Sequence, residues 1–129
     1  MAEARGRRCR LTVWRLEKFF QRPGRQPRQR LLASVGDPEA GRLFAALGHP
    51  HRLAILKAIL TGADSYQQLR DRVGLKAGPL YHHVRELRLA GLLELGGRDS
   101  YHLSQLGQDV VLLACSLARM VSKRTASAQ

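Results

Sequence analysis

From Asp37 onward the chain is punctuated at short intervals by residues that start and stop helices, so only a set of short helices packed on one another can follow. Asp37-Pro38-Glu39 places an acceptor side chain at an N-cap, proline at the first helical position and a carboxylate at the positive end of the helix dipole. Leu43, Phe44 and Leu47 then share a face, and Gly48 stops the helix. His49-Pro50 opens a second helix, expected to be the most buried, with Leu53, Ile55, Leu56, Ile59 and Leu60 before the stop at Thr61-Gly62. Ser65-Tyr66-Gln67-Gln68 has the spacing of a capping box, in which the serine and glutamine side chains satisfy each other's orphan backbone donors. Leu69 and Val73 follow, and Gly74 closes a helix of about two turns. Gly78-Pro79 opens another, over 78–90, in which Leu80, Val84, Leu87 and Gly91 fall at i, i+4, i+7 and i+11.

A short helix, a tight glycine-containing turn and a second amphipathic helix make a helix-turn-helix. Beyond Gly91 the period changes. Leu92 to Leu95 and Ser100 to Leu103 flank Gly-Gly-Arg-Asp and predict a hairpin over 92–103, a wing directly behind the helix-turn-helix. Ser104 then caps a last helix over 105–122, where Leu106, Val110, Leu113, Leu117 and Met120 recur at alternating spacings of four and three, a heptad-type seam. Val111 and Leu112 widen the apolar surface beyond one stripe, and a second copy of the chain is the economical way to bury it. The expected fold class is mainly α with a small β-hairpin, a winged helix-turn-helix over 36–104, followed by a dimerisation helix.

At 129 residues there is room for one domain with a real core plus a tail. The net charge is +12, and +8 of it sits on residues 1–34, where ten Lys or Arg stand against Glu3 and Glu17. Such a field favours a polyanionic partner. Residues 1–35 read as a basic, flexible arm: Leu11 to Phe20 predicts a short helix, and QRPGRQPRQR, with two prolines and four arginines, reads as a solvated linker. Cys9 and Cys115 alone build neither a disulfide framework nor a thiolate zinc site, and no apolar run approaches a membrane span of roughly 20 residues. A cytoplasmic protein without membrane, metal or cofactor is expected. Adjacent His82 and His83 point about 100° apart on a helix and do not converge on one ion. No nucleophile is paired with a base and no glycine motif cradles phosphate, which argues against an enzyme.

The segments LGHPHRLAILKAIL, YQQLRDRVGLKAGPLYHHVRELRLAGLLEL and YHLSQLG, in this order and spacing, resemble the ArsR-like winged-helix regulators of bacteria and archaea over residues 40–107. The resemblance implies a homodimer on double-stranded operator DNA, nucleoid-associated in a prokaryote, with the second helix of the motif in the major groove and the wing on the backbone or minor groove. Metal-sensing members carry paired cysteines, or cysteine and histidine ligands on the terminal helices, which this chain lacks, so metal sensing is not carried over. Where such regulators often have Ser, Thr or Gln at the first turn of the recognition helix, this chain has Lys76, Ala77, Gly78 and Pro79.

If Leu80, Val84 and Leu87 face the core, then Tyr81, His82, Arg85 and Arg88 face away from it, toward a DNA groove. His83, three residues after Leu80, is expected to point inward as a packing histidine. Lys76 in the turn, Gln67 and Gln68 on the preceding helix, and Arg98 at the wing tip complete the expected contacts. Arg52 fits either a surface charge at a helix start or a weak DNA contact. The arm, with Arg5, Arg7, Arg8 and Arg10 followed by Arg22, Arg25, Arg28 and Arg30, would add affinity independent of sequence. A different use of the same fold, as a protein-interaction or RNA-binding module with a general polyanion-binding arm, is the alternative, and the sequence names no effector.

Overall fold

The computed structural model describes residues 25–127; the helix expected over Leu11 to Phe20 and Cys9 lie outside them. Five helices, α1 (Arg25–Ser34), α2 (Asp37–Leu47), α3 (Pro50–Leu60), α4 (Tyr66–Val73) and α5 (Ala77–Leu89), precede a hairpin of β1 (Leu93–Leu95) and β2 (Tyr101–Leu103). A long helix, α6 (Gln105–Ser127), follows. Helix α1 runs through the segment expected to be a solvated linker. Pro27 falls in its first turn, where a missing N–H breaks no intrahelical bond, so proline content there argued against a helix while proline position permits one. Among the described residues, Leu31 and Leu32 of α1, and Val35 just past it, remain exposed.

Two helix starts differ from expectation by a residue or so, and a third is capped differently. The N-cap of α2 is Gly36, in extended conformation, with Asp37 already the first helical residue, so the carboxylates of Asp37 and Glu39 act on the first turn and no side chain caps it. The N-cap of α5 is Lys76, which leaves Pro79 inside the first turn. At α4, Ser65 Oγ accepts from Gln68 N at 3.3 Å as a capping box requires, but the Gln68 carboxamide accepts from Asp64 N at 3.0 Å. An antiparallel bridge between Ser65 and Ser100, with Tyr101 N donating to Asp64 O at 2.7 Å, holds Asp64 and Ser65 extended along the wing, and the Asp64 N–H is the donor presented to the glutamine. The turn between α4 and α5 depends on Gly74, at φ +72°, where an L side chain would cost roughly 1–2 kcal/mol.

Helix α3 is the centre of the molecule. Ile55 and Leu56 are fully buried, and α2, α4, α5, β2 and α6 all pack on it. The hairpin pairs Leu93 with Leu103, Glu94 with His102 and Leu95 with Tyr101, closing through Gly96 N to Ser100 O at 2.8 Å. Ser104 welds the wing to α6, donating to Gly91 O at 2.6 Å and accepting from Gly107 N at 2.9 Å. Gly107 lets the α6 backbone lie directly on Leu92, whose carbonyl a Cβ would overlap. That first part of α6 belongs to the core: Val110 is 8% and Val111 1% exposed. Val110 is therefore not a free seam residue and Val111 needs no second chain, because α3 and the wing base already cover this stretch.

Replacing Gly107 with alanine forces backbone apart in a packed corner. We expect a loss of about 1–3 kcal/mol, measured by chemical denaturation with wild-type protein alongside.

Candidate nucleic-acid interface

Helix α5 divides cleanly because its apolar positions recur at i, i+3, i+4 and i+7: Leu80, His83, Val84 and Leu87 are buried, while Tyr81, His82, Arg85 and Arg88 are exposed. Tyr81 is 65% exposed. Between this exposed face and the wing lies an open cleft of about 380 Å³, to which the helix contributes Tyr81, Arg85 and Arg88 and the wing contributes Leu95, Arg98 and Tyr101. Four residues singled out from the sequence thus meet in one place. Asp99, at the wing tip with φ +53°, is the acidic residue at the cleft. Among the described residues, no carboxylate lies within ion-pair distance of Arg85, Arg88 or Arg98, so the three guanidiniums are available to an outside anion.

Leu95 and Tyr101 were not anticipated in the cleft. Strand alternation carried the signal, since Leu95 lies two residues beyond buried Leu93 on the same face and pairs with Tyr101. Burial, reinforced by Asp99 and opposed by Arg88, raises the Tyr101 phenol above its usual 10, so its hydroxyl remains a hydrogen-bond donor at neutral pH. Lys76, Gln67 and Gln68 do not line the cleft. Lys76 is exposed at the N-cap of α5, Gln67 donates to the Asp71 carboxylate at 3.1 Å, and the Gln68 oxygen serves the α4 cap. His82 is exposed, its ring 5.5 Å from that of His83.

Two arginines position the interface from behind. Arg52 Nη1 donates to Ala45 O and Ala46 O, at 3.1 and 3.3 Å, while its Nε donates to His83 Nδ1 at 3.4 Å. It joins the end of α2, the start of α3 and the inner face of α5, and is neither a surface charge nor a groove contact. Arg72 Nη1 ties α4 to the end of α3 through Ala58 O and Thr61 O, both at 3.3 Å. His83, 7% exposed, is the inward histidine expected, and the His49 ring lies 4.4 Å from it. Burial, followed by the charges of His49, Arg52, His82 and His51, lowers its pKa below 6.5. Among the described residues, no group of three or more His, Cys, Asp or Glu is arranged to hold a metal ion, and no helix is long and apolar enough to cross a membrane.

Residues 47–96, from the end of α2 through β1, match the helix-turn-helix domain family. Those residues form a helix-turn-helix, and with the hairpin behind it the fold is that of a winged helix-turn-helix. That fold is shared with the transcriptional repressor BigR from Xylella fastidiosa, at 21% identity and a TM-score of 0.53, over 70% of this chain and 92% of that one. It is also shared with the homodimeric winged helix-turn-helix DNA-binding domain (fragment 1–100) of Mb0332 from Mycobacterium bovis, a possible ArsR-family transcriptional regulator. Identity there is 20% and the TM-score 0.52, over 79% of this chain and 91% of that one. No curated protein matches the sequence. Within this winged domain α5 is the second helix of the helix-turn-helix and β1–β2 is the hairpin behind it.

A histidine whose folded-state pKa lies below its unfolded value binds fewer protons when folded, so its contribution to stability is complete above 6.5 and is lost as pH falls through that value toward the folded pKa. The winged domain is expected to melt at a lower temperature at about pH 5.5 than at about pH 7.5, and His83→Gln to flatten that dependence, as followed by circular dichroism.

Proposed function

We propose that this protein is a sequence-specific transcriptional regulator that binds double-stranded DNA as a homodimer, with α5 in the major groove and the wing over 92–103 on the backbone or minor groove. The observation that carries this reading is the cleft where Tyr81, Arg85, Arg88 and Arg98 converge with three guanidiniums lacking an ion-pair partner among the described residues. Arginine pairs bidentately with guanine or holds phosphate, and a helix fits the roughly 12 Å wide major groove. Tyr81, His82 and Arg85 are the candidates for base edges, ahead of Arg88. Arg98, presented on a short glycine turn, suits a narrow minor groove or a phosphate. Lys76, Gln67 and Gln68 are proposed to anchor the approach to the backbone, and the basic arm to add affinity independent of sequence. Such a protein acts in the cytoplasm, at the nucleoid of a prokaryote.

The homodimer rests on a second observation. Past the core, α6 exposes Leu117, Met120 and Val121, with Leu106 at its start, and Leu31, Leu32 and Phe44 are exposed on α1 and α2. Leu113 is half-buried between these positions and the core. A second copy covers such faces symmetrically and sets two recognition helices against two half-sites. Mb0332, of the same fold, is described as homodimeric.

The test is selection of bound duplexes from fragmented genomic DNA, followed by titration. Arg85→Ala is expected to weaken binding to the selected duplex by about 1–3 kcal/mol and relax its sequence preference. Removing residues 1–24 is expected to reduce the salt dependence and leave the preference in place. Wild-type protein that retains no duplex selectively ends the reading. Separately, the double substitution Leu117→Glu and Met120→Glu is expected to shift the protein to monomer in analytical ultracentrifugation without unfolding it.

A further inference from the structure

We propose that the Arg52–His83 hydrogen bond sets the position of the recognition helix, and that one proton on His83 releases it, so that duplex binding weakens on acidification. The inference rests on the DNA-reading role of α5 proposed above. The geometry is specific about protonation. Arg52 Nε–H donates to His83 Nδ1, so that nitrogen must offer its lone pair and the ring proton must sit on Nε2. A second proton, on Nδ1, sets donor against donor and places an imidazolium beside a guanidinium. The groups that face His83 give that cation no compensation. From the start of α3 come Arg52, His49 and His51, with imidazole rings 4.4 and 5.8 Å away; from α5 itself comes His82 at 5.5 Å. From α2 come the carbonyls of Ala45 and Ala46, both already accepting from Arg52. Among the described residues, no carboxylate lies within ion-pair distance of His83. Protonation inside this basic cluster therefore favours a conformation in which the His83 ring leaves the corner. His83 lies between Tyr81 and Arg85, so the groove-facing side chains move with it.

The expected direction is opposite to that of simple electrostatics. Acid adds positive charge to the histidines, and added positive charge on its own tightens binding to a polyanion. A fall in affinity at low pH needs a specific conformational cause. Its size is bounded by linkage: each unit by which the proton affinity of His83 differs between the held and released helix gives about tenfold in duplex affinity.

Full-length protein is titrated with its selected duplex at about pH 8 and about pH 5.5. Wild type is expected to bind more weakly at the lower pH, by up to about tenfold. His83→Gln, whose carboxamide oxygen accepts from Arg52 and does not titrate, is expected to bind at pH 8 and to lose most of the pH dependence. Arg52→Lys, which removes the guanidinium fork, is expected to bind weakly at both. Equal or tighter wild-type binding in acid, or a fall that persists in His83→Gln, overturns the proposal. In DNA-free wild-type protein, the His83 ring protons and the α5 amides are followed by NMR through the same pH range. Amide shifts that track the His83 titration support the release step, and α5 amides that stay still while His83 titrates overturn it. Absence of duplex selectivity at pH 8, with the amides tracking His83, rejects the DNA-reading role alone.

Discussion

Everything in this fold is arranged around the burial of one short helix. Helix α3 is apolar on nearly every side, with Ile55 and Leu56 out of contact with solvent, so each neighbouring element is placed by the face of α3 it covers. Burying a side chain of this size contributes about 1.5–3 kcal/mol, and no other element brings two such residues to the point where five neighbours meet. The recognition helix acquires its orientation from this contact. Leu80, Val84 and Leu87 can be buried only if Tyr81, Arg85 and Arg88 are turned to solvent.

Hydrophobic burial chooses the face but does not fix the angle, and polar links do that. Arg52 closes the corner of α2, α3 and α5, Arg72 ties α4 to the end of α3, and Ser104 joins Gly91 to the first turn of α6. Each uses a side chain to bond backbone carbonyls at a helix end or turn. Among the described residues, no buried side-chain polar atom lacks a hydrogen-bond partner.

The part of this architecture that was legible in sequence was the part with a period or a stop signal. The winged helix-turn-helix, the hairpin loop and the two faces of α5 followed from spacing alone, and so did the inward turn of His83. Helix α1 was missed because proline was weighed by number and not by its place in the first turn. Val110 was drawn into the seam on α6 because a heptad pattern is blind to what lies beside it. Gly107 brings the helix onto Leu92, and Val110 and Val111 are consumed by the core. Arg52 was ambiguous because its partners, Ala45, Ala46 and His83, lie on two other elements, one of them 31 positions away. Long-range polar partners leave no periodic trace in a chain.

The wing is attached at its base and free at its tip. The Ser65–Ser100 bridge and the Asp64–Tyr101 bond hold the loop end of β2 to the turn before α4, and Ser104, directly after β2, holds the base of the hairpin to Gly91. Only Gly96 to Asp99 extends beyond these attachments. The hairpin and the recognition helix therefore form the two jaws of a rigid caliper whose opening is set by the core, with a few adaptable residues at one end. A caliper of fixed span measures the width and curvature of what it grips, so in the proposed DNA-bound state it would discriminate among duplexes by shape at positions that no side chain touches.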